Sequence, residues 1–218
     1  MKKTIVLMTS VLLLIAAPAY ASNPTELQKM IAISNQASLN GASASVTLNS
    51  TTYNYKIDSK GNISVTSKGK LLEIKTLTNH LLSPTAYLSL TNNKLTPEQT
   101  SNIKKQSGFI SLNSINQNTV VPTYVERLQR LINQSENTID PSSSIKYEKT
   151  RLQHRFTFQT LLGVNKTLTF DKNSRLISAV VRNGSDSYTI SYRYGKQTIP
   201  TSQKVLSTET IRSYGING

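Results

Sequence analysis

Residues 167–200 read TLTFDKNSRLISAVVRNGSDSYTISYRYGKQTIP, and their pattern decides the fold class. Lys166 to Phe170 is a short run of period two. Asp171-Lys172-Asn173-Ser174 then breaks it with turn-forming residues, and Arg175 to Arg182 resumes the run. Asn183-Gly184 opens a second turn, after which Ser187 to Tyr194 places Tyr188, Ile190, Tyr192 and Tyr194 on one side. Alternating runs of this length, separated by Asp, Asn and Gly, are the pattern of antiparallel hairpins. Immediately upstream, Ile145 to Thr160 reads as one more strand. Leu152, His154, Phe156 and Phe158 share a face, and Lys149, Arg151, Gln153 and Arg155 share the other. A sheet with one apolar and one solvated face follows from that alternation.

Working back towards the N-terminus, the periodicity changes more often. Asn23-Pro24 pairs a capping residue with proline at the first helical position. Leu27, Met30 and Ile31 then recur at helical spacing, so residues 24 to 38 are expected to form an amphipathic helix. From Val46 the period is two. Val46 and Leu48 have the opposite parity to Tyr53, Tyr55 and Ile57, which calls for a bulge or break near Asn49 to Thr52. Lys60-Gly61 and Lys68-Gly69-Lys70 mark turns, bounding strands at Ile63 to Val65 and at Leu72 to Thr76; Pro84 to Leu90 reads as another short strand. Thr96-Pro97-Glu98-Gln99 is a capping-box start for a helix ending by Gly108, and Pro122 to Gln134 places Val125, Leu128, Leu131 and Ile132 on one side of a further helix. About eight or nine strands and three helices, without βαβ alternation, point to an α+β fold: a curved antiparallel sheet with helices against one face.

Composition narrows the function. The chain has 218 residues, no Cys, no Trp and two His, so thiolate metal sites, disulfides and cysteine nucleophiles are excluded and a multi-histidine metal centre nearly so. Lys2, Lys3, an apolar run from Ile5 to Ala17 and Ala19-Tyr20-Ala21 form the pattern of a cleaved secretory signal, residues 1–21. The expected mature domain is residues 22–218, placed outside the cytoplasm in a periplasm or cell-wall space. Without a Cys after the apolar run, lipid anchoring through a lipobox is not expected. Removing Lys2 and Lys3 from the 25 basic residues leaves 23 against 11 acidic ones, a net charge of +12 on 197 residues. Such an excess favours anionic membrane or wall polymers. The charges are scattered and do not interleave with aromatics, so specific nucleic-acid binding is not expected.

The layout of the mature chain resembles a known family. A helix, then the strand entry Ser43 to Val46, then the hairpin series of residues 167–200 is similar to the mycobacterial LprG and LppX type of lipid-carrying lipoproteins, and more distantly to the carrier LolA. The resemblance implies a half-barrel whose helices enclose an apolar cavity for acyl chains. Two features depart from it: the lipobox Cys and the Trp-containing segments are missing.

Motifs for catalysis are sparse. Ser101/Lys104, Ser67/Lys70 and Ser143/Lys146 all match Ser-x-x-Lys, which chance supplies in a chain where Ser, Thr and Asn make up 73 of 218 residues. No Gly-x-Ser-x-Gly elbow, His-Glu-x-x-His helix or P-loop occurs, so no enzyme activity, cofactor or metal is expected. A hydrolase would need an acid/base pair that the fold assembles from distant positions, and two readings stand ahead of it. One is an exported carrier binding a lipid or lipid-anchored cargo in a cavity lined by Leu152, His154, Phe156, Phe158, Tyr188, Ile190 and Tyr192. The other is a non-catalytic envelope module binding anionic polymers through its basic surface. His154 is either a hydrogen-bonded core histidine or a polar group within the cavity, with His80 as its only possible histidine partner for a metal.

Overall fold

A computed structural model describes residues 24–92, 94–115, 122–134 and 145–214. The expected signal at residues 1–21 and the loop Asp140 to Ser144 lie outside them.

Helix α1 (Pro24–Ser38) leads into strands β1 (Ala42–Leu48), β2 (Thr51–Ile57), β3 (Ile63–Ser67), β4 (Lys70–Lys75) and β5 (His80–Leu82). Helices α2 (Pro84–Leu90) and α3 (Pro97–Lys104), strand β6 (Ile110–Ser111), a single 3₁₀ turn at Leu112–Ser114 and helix α4 (Tyr124–Gln134) follow. The chain continues through β7 (Lys146–Lys149), β8 (Gln153–Gln159), β9 (Asn165–Asp171), β10 (Leu176–Asn183), β11 (Asp186–Tyr194) and α5 (Thr208–Ser213). All eleven strands belong to one curved, unclosed antiparallel sheet in the order β6-β5-β4-β3-β2-β1-β11-β10-β9-β8-β7. Two chain-local meanders, β1 to β6 and β7 to β11, thus meet where β1 pairs with β11.

The parity reversal between Val46 and Tyr53 is produced by a two-residue turn. Leu48 lies opposite Thr51 and Val46 opposite Tyr53, with Asn49 and Ser50 both at positive φ, the requirement of a tight hairpin turn. At the other end of β1, Gly41 has φ +104, and a Cβ there would approach the Gly195 carbonyl oxygen to 2.9 Å. Only glycine lets these two backbones come so close.

Two expectations need correction. Pro84 to Leu90 is a helix: Ser83 caps it by accepting from the Ala86 N–H, Pro84 occupies the first turn, and Ala86, Tyr87 and Leu90 are buried at helical spacing. Residues 145–160 form two strands, because the Thr150 hydroxyl accepts from the N–H groups of Leu152 and Gln153 and folds the chain into a turn. These two changes offset each other, and the short strands β5 and β6 bring the described residues to eleven strands. The short helices α2 and α5 bring them to five helices. Helix α1 occupies the expected residues, and the capping box of Thr96 and Gln99 starts α3 as anticipated.

Helices cover one face of the sheet, called here the inner face. Its register places Tyr147, Phe156, Leu168, Ala179, Ile190 and Val46 directly opposite one another on β7, β8, β9, β10, β11 and β1. A second row runs through Tyr192, Ala44, Tyr55, Val65, Glu73, Leu82 and Ile110. Together with Leu27, Met30, Val125, Leu128 and Ile132 from α1 and α4, these rows supply about half of the main core. The outer face carries a smaller cluster, Ile74, Leu81 and Ile199, where the segment after β11 crosses the sheet. That segment then pairs with residue 109: the Phe109 N–H donates to the Lys204 carbonyl at 2.7 Å, and the Leu206 N–H to the Phe109 carbonyl at 2.8 Å. The β6 end of the sheet is thereby covered.

Candidate functional site

The inner face under the helices is the site to which the sequence points. Phe156, Phe158, Tyr188, Ile190 and Tyr192 are all buried on it, as alternation in β8 and β11 requires. Phe156 sits at a junction of aromatic rings, with Tyr147 stacked at 4.7 Å and Phe170 edge-on at 5.7 Å between centroids. Leu152 does not join this group. It lies on the turn before β8 and is 65% exposed, because the Thr150 turn removes it from the strand's alternation. His154 shares the face but is only half-buried near the sheet edge, where its Nδ1 shares a hydrogen bond of 2.7 Å with the Tyr147 hydroxyl.

Helix α4 is fastened to this face by polar contacts at three points. At its start, the Val125 N–H donates to Glu73 Oε2 at 3.0 Å. In the middle, the Gln129 amide donates to the Tyr55 hydroxyl at 3.1 Å, and further on the Tyr188 hydroxyl donates to the Leu131 carbonyl at 3.2 Å. Between these contacts Val125, Leu128 and Ile132 supply the apolar stripe expected of the helix. Helix α1 is held differently: the Ser34 hydroxyl accepts from the Leu176 N–H at 2.8 Å while donating to the Met30 carbonyl at 2.8 Å.

Two charged residues on the inner face were not read from the sequence. Glu73 is wholly buried, its Oε1 lying 2.5 Å from His80 Nε2 and its Oε2 receiving the α4 N–H. A carboxylate suits that place, because the unpaired N–H groups of a helix start attract negative charge. Lys166 is also buried, between Phe158 and Val181 in the register. Its parity with Leu168 and Phe170 was a usable signal for inward placement. Glu73, between Leu72 and Ile74, gave no such signal, because both faces of β4 are covered.

Burial raises the phenol pKa of Tyr188 to about 12. Burial also pushes Tyr55 well above its ordinary value; the nearby Glu73 adds to the rise and the Gln129 hydrogen bond opposes it. The fold therefore favours the neutral phenols. Their stabilising contribution is complete below pH 10 and declines as pH climbs from 10 through 12. In alkaline titration followed by tyrosinate absorbance, a late group of tyrosines is expected to ionise together with loss of the sheet's circular dichroism. Simple titration of every tyrosine near pH 10, with the sheet intact, would contradict this placement.

Among the described residues, no group of three or more His, Asp or Glu side chains is placed to hold a metal ion. The inner face combines these buried apolar rows with Glu73, Lys166 and the His154–Tyr147 pair.

No protein-family model matches the chain, and no curated protein matches it. Several solved structures do. LprF from Mycobacterium bovis is similar at 10% identity, over 84% of this chain and 99% of that one, with a TM-score of 0.43. The lipoprotein LppX from Mycobacterium tuberculosis is similar at 10% identity, over 83% of this chain and 100% of that one, also with a TM-score of 0.43. A LolA superfamily protein from Nitrosomonas europaea is similar at 6% identity, over 83% of this chain and 96% of that one, with a TM-score of 0.23.

Proposed function

We propose that the chain is a non-catalytic carrier that binds a lipid or an acylated cargo between the inner face of the sheet and its helices, and that it works outside the cytoplasm. The row from Tyr147 through Phe156, Leu168, Ala179 and Ile190 to Val46 carries this reading. Six adjacent strands contribute an uninterrupted apolar strip, roughly 24 Å long at the usual strand spacing, which matches the length scale of an extended acyl chain. Its polar groups sit at the margins: Lys166 one row towards the turns, and the Tyr147 hydroxyl, paired with His154, at the edge-strand end. Such a floor with few polar groups is what an acyl ligand needs, since its affinity comes from apolar area and its orientation from the headgroup. Helix α4, held by a few discrete hydrogen bonds, would cover the cargo from above.

Native mass spectrometry of residues 22–218 from an exporting host, followed by organic extraction, tests this. A co-purifying acyl lipid near one-to-one stoichiometry is expected. A bare mass, still bare after incubation with the host's envelope lipids, would overturn the carrier reading and leave binding of anionic wall polymers as its successor.

A further inference from the structure

The turn joining β8 to β9 carries two adjacent leucines that the fold leaves outside. Leu161 is 57% exposed and Leu162 80% exposed. Their turn is tightly built. The Thr160 N–H donates to the Val164 carbonyl at 2.9 Å, and the Gly163 N–H to the Thr160 carbonyl at 2.8 Å. The Val164 N–H reaches the Thr160 hydroxyl, the Gln159 amide donates to the Gly163 carbonyl, and Gly163 supplies the positive φ. Much of the turn's backbone hydrogen bonding is thus met internally, so taking this tip out of water would strand few polar groups. Single exposed leucines are ordinary on protein surfaces. Leu39, Leu77 and Leu152 are of that kind, each alone on a separate turn at the opposite end of the strands. A neighbouring pair held out on one structured tip is different.

Charge says what the tip faces. In the register, Lys146 on β7 and Arg182 on β10 flank the hairpin, and Lys68 and Lys70 stand at the same end of the sheet on the β3–β4 turn, several strands away. Among the described residues near the hairpin the carboxylates are Glu148, which pairs with Lys146 at 2.9 Å and with Arg155 at 3.7 Å, Asp186, and Glu26 beside Tyr147. Along this end of the sheet as a whole, lysines and arginines outnumber carboxylates, on a chain whose net charge is itself strongly positive. We propose that the β8–β9 turn is a membrane-docking tip: Leu161 and Leu162 enter the interface of an anionic bilayer while the lysines and arginines along the same end of the sheet meet its headgroups. This goes beyond the carrier reading and does not depend on it, because docking is scored on vesicles whether or not cargo is bound.

The test uses residues 22–218 and sedimentation with phosphatidylcholine vesicles, with and without phosphatidylglycerol. Binding is expected only with the anionic lipid and should weaken as salt rises. Leu161→Ser/Leu162→Ser should bind about tenfold or more weakly at unchanged melting temperature, while Leu77→Ser/Leu152→Ser should bind like the parent. Because the chain has no Trp, Leu161→Trp adds a single fluorophore whose emission should shift to the blue on adding anionic vesicles. Any of four results would overturn the proposal: no parent binding, full binding by the Leu161/Leu162 variant, an equal loss in the Leu77/Leu152 variant, or no emission shift. A parent that self-associates through the tip, and becomes monomeric on serine substitution without any vesicle binding, would assign the leucines to a second copy instead.

Discussion

Replacing Glu73 with alanine is expected to remove about 3 kcal/mol of folding stability. The side chain is wholly buried and holds two partners at once, the His80 ring and the Val125 N–H. Truncation leaves both facing a void, and a buried polar group without a partner costs more than the hydrogen bond was worth. The loss should concentrate at one place. Amides in the first turn of α4 should exchange faster in the variant, while those of β9 and β10 keep their protection relative to global unfolding. Glu73→Gln keeps an oxygen for the Val125 N–H and should lose about half as much. Urea unfolding gives the magnitude. A Glu73→Ala protein within about 0.5 kcal/mol of the parent would mean that the Glu73 contact does not hold the start of α4.

Phe156→Ala is the second large effect, about 3 to 5 kcal/mol. Phe156 is buried at the meeting of two rings, Tyr147 on the edge strand and Phe170 on β9. Deleting it loses transfer free energy and leaves a cavity that β8, paired on both sides, cannot easily collapse to fill. Tyr147→Ala should cost far less, because Tyr147 is exposed and its strand is the outermost. The double variant separates the ring contact from simple burial: a coupling of about 0.5 to 1.5 kcal/mol is expected between them. Equal costs for the two single substitutions would contradict the position assigned to Phe156 on the inner face.

What could be read in advance follows the range of the interactions involved. The hairpins of β9, β10 and β11 were legible because alternation and turn residues are local, and so were α1 and the capping box of α3. Pro84 to Leu90 misled because Ala86, Leu88 and Leu90 also alternate, and the Ser83 cap with Pro84 in the first turn is what distinguishes the helix. Leu152 misled because a threonine turn interrupts an alternation that looks continuous on either side of it. Of the candidate site, the apolar residues of β8 and β11 were readable from parity. The Glu73–His80–α4 contact was not, since it joins residues 52 positions apart through packing that no local pattern records.

The pairing of the first strand with the last shapes how this molecule can be assembled. Val46 lies opposite Ile190, 144 positions further along, whereas within each meander most strands pair with a partner only a tight turn away. Local hairpins close quickly, and widely separated contacts close slowly. Each meander can therefore organise early, but they become one sheet only when β11 finds β1. Until then β1 presents a bare edge, so a chain synthesised from its N-terminus waits for its final strand. Completion is a late event, and a truncation that removes β11 should leave two unfinished sheets in place of a slightly smaller protein.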